Sequence, residues 1–107
     1  MRAKGTPFIE KGKTIHLECN ASGKPEPPRD VTWFKDGKKI ESDSLKGIFI
    51  EKKIESKVLY SYLVIKNSQI EDGGDYTCMS SNKDAENVEI HILDGEYVLR
   101  QNRNLNN

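Results

Sequence analysis

The stretch Asp72-Gly73-Gly74-Asp75-Tyr76-Thr77-Cys78 has the form D-x-G-x-Y-x-C, and its reading decides the fold. Tyr76 stands two residues before Cys78, where a tyrosine hydroxyl can reach back to backbone just upstream. Two more residues belong with it. Cys19 lies far upstream, and Trp33, the single tryptophan of the chain, falls between the two cysteines.

Outward from that stretch the chain reads as strands separated by turns, with no sustained helical period. Thr14 to Asn20 alternates, with Ile15, Leu17 and Cys19 on one face and His16, Glu18 and Asn20 on the other. Val31 to Lys35 follows, with Val31 and Trp33 inward, and Asp36-Gly37 is a hairpin signal leading into Lys38-Lys39-Ile40. Gly47 to Lys53 and Val58 to Lys66 form the next pair, and Ser61, Leu63 and Ile65 share a face. Gly74 to Ser80 and Asn87 to Leu93 close the set, with Val88, Ile90 and Ile92 inward. Phe8-Ile9-Glu10 reads as a first strand, placed at an edge by Pro7. Gly23 to Pro28, with its three prolines, is a loop.

The 107 residues suit one all-β domain, and with 35% hydrophobic residues its core is economical. Residues 1–6 read as an N-terminal extension or leader, 7–94 as the domain, and 95–107 as a polar tail or linker. Seventeen basic residues balance seventeen acidic ones, which gives no electrostatic case for nucleic acid. No apolar run approaches the roughly 20 residues that span a bilayer, so no direct membrane insertion by this segment is expected. The first residues hold no apolar signal-peptide core. The chain is therefore either cytosolic or a piece of a longer secreted one, and the second is the reading adopted.

Leu17 to Pro27, then Val31 to Gly37, then Leu63 to Asn67 leading into Glu71 to Cys78 together resemble the intermediate (I-set) subtype of the immunoglobulin superfamily. The similarity spans residues 7 to 93. It implies an immunoglobulin-like antiparallel β-sandwich with Greek-key connections and seven to eight strands. It also implies a Cys19–Cys78 disulfide between the sheets, with Trp33 packed against it and Leu17, Tyr76, Leu63, Ile65, Val88 and Ile90 in the core. In this pattern Asp72 pairs with a basic residue near the fourth strand, here Lys46, where arginine is commoner. Cys78 to Asn82 and Val88 to Glu96 also resemble the last two strands of the second domain of Dpr-type neuronal recognition proteins.

No catalytic motif is present: there is no G-x-S-x-G, P-loop or H-E-x-x-H. His16 and His91 fall on opposite sheets and point outward, the cysteines are too few for a zinc ribbon, and no cofactor or metal is implied. Asn20-Ala21-Ser22 is an N-x-S glycosylation sequon. One sheet carries Phe34 and Met79 outward, with His91 beside them, as an apolar centre in a polar rim. On the other sheet Tyr60, Tyr62 and Val64 face outward, with Ile48 and Ile50 as further members. A shift of one residue would bury those isoleucines and expose Phe49. Lys35, Lys38, Lys39, Lys52 and Lys53 suggest a heparan sulfate groove, but the interleaved Glu41, Asp43, Glu51 and Glu55 make solvated edges the better reading.

The expected function is therefore protein recognition outside the cell or at its surface, with a cell-surface receptor or a homophilic copy as partner. The alternatives are a cytoplasmic structural module of a muscle filament protein and a secreted ligand carrying the same module.

Overall fold

The computed structural model describes residues 1–23 and 26–95. Its strands are β1 (Arg2–Gly5), β2 (Phe8–Glu10), β3 (Ile15–Ser22), β4 (Val31–Lys35), β5 (Lys38–Lys39), β6 (Ile48–Glu55), β7 (Val58–Ile65), β8 (Gly74–Ser80) and β9 (Ala85–Leu93). They form a four-stranded sheet ordered β1-β3-β7-β6 and a five-stranded sheet ordered β2-β9-β8-β4-β5. The two faces of a half-buried strand differ in polarity, and that difference sets the layers. Along β3 it is Ile15, Leu17, Cys19 and Ala21 that are buried, and along β7 it is Leu59, Ser61, Leu63 and Ile65.

Trp33, Tyr76, Leu17, Leu63 and Ile90 are fully enclosed in the core, Ile65 is buried, and Val88 is half-buried against them. Cys19 on β3 is bonded to Cys78 on β8, with Cα atoms 6.4 Å apart, so the bridge links the two sheets. The Trp33 indole N–H donates to the Ser61 hydroxyl at 3.0 Å, deep between the sheets. That bond explains a serine on the inward face of β7.

Four expectations need correction. Residues 1–6 are not an extension: Arg2–Gly5 is a strand, antiparallel to β3, with Gly5 opposite Leu17. Its inward residues are small because the approach is close, and a Cβ on Gly5 would fall 2.3 Å from Leu17 Cδ2. The described residues hold nine strands rather than seven or eight, and β2 runs parallel to β9, so the sandwich is mixed. Ile48 and Ile50 pack toward the core, while Phe49 faces out opposite Val64. Asp72 and Lys46 form no ion pair. The Asp72 carboxylate instead accepts the Gln69 N–H at 2.7 Å, closing its own 3-10 turn at Ile70–Asp72. The expected tail at 95–107 lies outside the described residues apart from Gly95.

The D-x-G-x-Y-x-C stretch works as a corner. The Tyr76 hydroxyl donates to the Asp72 carbonyl oxygen. Burial, with the Asp72 and Asp36 carboxylates adding to it, pushes the phenol pKa up, so it remains a donor. Asp36 and Gly37 both have positive φ, 48° and 83°, as a two-residue hairpin requires. The Asp75 N–H donates to Asp36 Oδ1 at 3.0 Å, which holds the Asp36 pKa below the usual carboxylate value. Gly74 admits this contact, because a Cβ there would sit 2.7 Å from the Asp36 carboxylate. Tyr76→Phe is expected to destabilise the domain by about 1–2 kcal/mol in urea unfolding, since the partly buried Asp72 carbonyl loses its donor. An unchanged midpoint would show that water replaces the hydroxyl without cost.

Candidate functional site

Among the described residues no three metal-ligating side chains converge, and no helix is long and apolar enough to cross a membrane. The recognition candidates read from the sequence lie on the outward faces of the two sheets.

On the five-stranded sheet the register places Phe34 between Thr77 of β8 and Lys39 of β5. Met79 lies between Thr32 of β4 and Ala85 of β9, diagonal to Phe34 across the β4–β8 pair. Met79 is 37% exposed and Phe34 half-buried, which makes a flat apolar centre. Its rim is polar. Asn87 donates to the Thr77 hydroxyl at 3.2 Å, Lys39 lies 3.5 Å from Glu41, and His91 Nε2 is 3.4 Å from Glu89.

His91 has a partner that the sequence did not reveal. Phe8 stands opposite it in the β2–β9 pair, and the rings stack with centroids 5.0 Å apart. Phe8 is 58% exposed, so the aromatic surface extends to the sheet edge. The missing signal is the parallel register of a three-residue strand, which its own residues do not set.

On the four-stranded sheet the outward positions fall into rows. Arg2, Asn20, Tyr60 and Lys53 form one row, and Lys4, Glu18, Tyr62 and Glu51 the next. His16, Val64 and Phe49 form a third. The Tyr60 and Tyr62 rings are nearly parallel, 7° apart in plane and 6.5 Å between centroids. Lys53 reaches them from β6, 5.8 Å from each centroid, and Lys66 lies 5.2 Å from that of Phe49. The hydrogen bond to Glu55, with the two tyrosines contributing, keeps the Lys53 pKa raised. The stripe is thus Tyr60, Tyr62, Val64 and Phe49.

The lysines that suggest a polyanion groove are dispersed among carboxylates. Lys35 meets Asp36 at 3.4 Å, Lys53 meets Glu55 at 3.3 Å, Lys39 is held by Glu41 and Lys52 by Asp30. Lys52 in turn lowers the Asp30 pKa. A sulfated chain would have to displace these carboxylates, so the geometry disfavours it.

Comparison with known proteins fits this architecture. A model described as the immunoglobulin domain matches residues 3–82. The muscle M-line assembly protein unc-89 of Caenorhabditis elegans is 44% identical over 75 residues, 70% of this chain and 1% of that protein. Vascular endothelial growth factor receptor 2 of Mus musculus is 39% identical over 71 residues, 66% of this chain and 4% of that protein. The chain therefore spans a few per cent at most of the length of these relatives. A solved complex of Dpr2 Ig1-Ig2 with DIP-Theta Ig1-Ig3 shares the fold, with TM-score 0.67 and 22% identity. That likeness covers 86% of this chain and 50% of the other.

Proposed function

This chain belongs to the immunoglobulin domain family, and from that premise we propose that it is a non-catalytic, extracellular recognition module. It binds a protein partner through the outward face of its five-stranded sheet. The partner is a cell-surface receptor or a second copy of this chain. The observation that carries the reading is the Phe34–Met79 centre, a half-buried aromatic beside an exposed methionine, bounded by Thr32, Thr77, Asn87 and Lys39. Such a centre with a polar rim is the anatomy of a small interface. The disulfide supports an oxidising compartment. Similarity to a growth factor receptor and to a domain from a two-protein complex points the same way.

The test is a binding screen of the multimerised domain against cell-surface ectodomains and against itself. The control carries Phe34→Ser and Met79→Ser. Binding that weakens by about 30-fold or more in the control, with an unchanged melting temperature, supports this face. Equal binding by both proteins overturns it. Tyr62→Ala and Val64→Ala on the opposite sheet serve as the reference surface.

A second reading, a cytoplasmic module of a muscle filament, is favoured by the 44% identity to unc-89. The two part over Cys19 and Cys78 in protein from its natural source. Oxidised sulfurs support the extracellular reading, and two free thiols support the filament one.

A further inference from the structure

We propose that Asn20 carries an N-linked glycan whose first N-acetylglucosamine packs on Tyr60, so that carbohydrate covers the aromatic stripe of the four-stranded sheet. The inference rests on the extracellular reading. It also accounts for Tyr60 and Tyr62 side by side on an open face, a surface that an isolated domain tends to keep polar.

Three features converge. Asn20-Ala21-Ser22 satisfies the acceptor pattern, with alanine rather than proline between. Asn20 faces outward, away from Cys19, and among the described residues neither its amide nor the Ser22 hydroxyl takes part in a hydrogen bond. The β3–β7 register sets Asn20 directly opposite Tyr60, where Cβ atoms are about 4.5–5.5 Å apart. A sugar leaving the Asn20 amide toward β7 meets that ring first and Tyr62 next. Pyranose C–H groups carry partial positive charge and suit the negative face of an aromatic ring. Lys53 approaches the same rings from β6, on the far side of β7 from Asn20. Arg2, opposite Asn20 on β1, offers guanidinium donors on the other flank.

The covalent step is displacement at an anomeric carbon. Asn20 Nδ2 attacks a lipid-diphosphate-linked oligosaccharide and forms the N–C bond. The C–O bond to the diphosphate breaks, the lipid diphosphate leaves with the electron pair, and the amide gives up one proton. Because β3 is flanked by β1 and β7, transfer precedes closure of the sheet during synthesis.

The experiment is secretion of the chain from mammalian cells, intact mass before and after amidase treatment, and melting of both forms. The expected result is a mass excess removed by the amidase and absent in Asn20→Gln and in Ser22→Ala. Deglycosylation is expected to lower the wild-type melting temperature by roughly 4 °C, about the effect of one aromatic contact in a domain of this size. In Tyr60→Ala the two forms melt together. The unglycosylated Asn20→Asp variant serves as the reference for amidase-treated protein. Unmodified Asn20 in the secreted protein overturns the proposal, as does a melting difference that survives Tyr60→Ala. Failure of the extracellular reading shows elsewhere, as free thiols in protein from its natural source.

Discussion

Replacing Cys19 and Cys78 together by Ala lowers the unfolding free energy by about 4 kcal/mol, one of the two largest losses expected in this chain. The bridge spans 59 positions, and closing a loop of that length removes about 4 kcal/mol worth of unfolded-state entropy in the chain-entropy model. Both sulfurs are fully buried, so their removal also leaves unfilled space beside Trp33. Domains of this kind hold about 5–15 kcal/mol in all, so the variant sits near the limit of folding at body temperature. In a melt the effect reads as roughly 15–30 °C. Urea titration of the oxidised, reduced and Ala/Ala forms checks it. A loss under about 1 kcal/mol would mean that the packed sheets suffice alone, as a module working among reduced thiols requires.

What the sequence disclosed follows from where burial is one-sided. β3 and β7 each alternate over eight residues between buried and more open positions, so once one inward residue is placed, parity along the strand gives the rest of the face. Ile48-Phe49-Ile50 has no alternation to read. Its facing is decided by β7, where Ile50 meets buried Leu63 and Phe49 meets outward Val64. β1 was missed because Ala3 and Gly5 are too small to mark an inward face. The Asp72–Lys46 pair failed for a local reason: the carboxylate is already taken by the Gln69 N–H, whose cost if left bare exceeds that of a solvated lysine. On the candidate faces, Phe34, Met79, Tyr62 and Val64 were legible by parity within their strands. Phe8 against His91, and Asn20 against Tyr60, depend on pairing between strands distant in sequence, which parity does not carry.

Trp33→Ala is expected to cost about 3–5 kcal/mol, and Ser61 makes the origin of that cost separable. Trp33 is 1% exposed, and its indole N–H reaches the fully buried Ser61 hydroxyl at 3.0 Å. Ser61→Ala alone strands that N–H away from water and costs about 1–3 kcal/mol. Trp33→Phe alone loses ring area and leaves the Ser61 hydroxyl without its donor. In the double variant both polar ends are gone, so its loss is smaller than the sum of the single losses by about 1 kcal/mol. A sum additive within about 0.3–0.5 kcal/mol would show that the bond adds nothing and that the indole acts by volume alone. The consequence reaches the outer surface. Phe34 follows Trp33 on β4, and adjacent residues on a strand face opposite ways, so the packed indole fixes the strand that presents Phe34. Ser61→Ala, which touches no outward side chain, is therefore expected to weaken binding at the Phe34–Met79 face less than about threefold near 10 °C and more as the temperature nears the variant's lowered melting point. Equal weakening at all temperatures would instead place Ser61 in direct support of the interface.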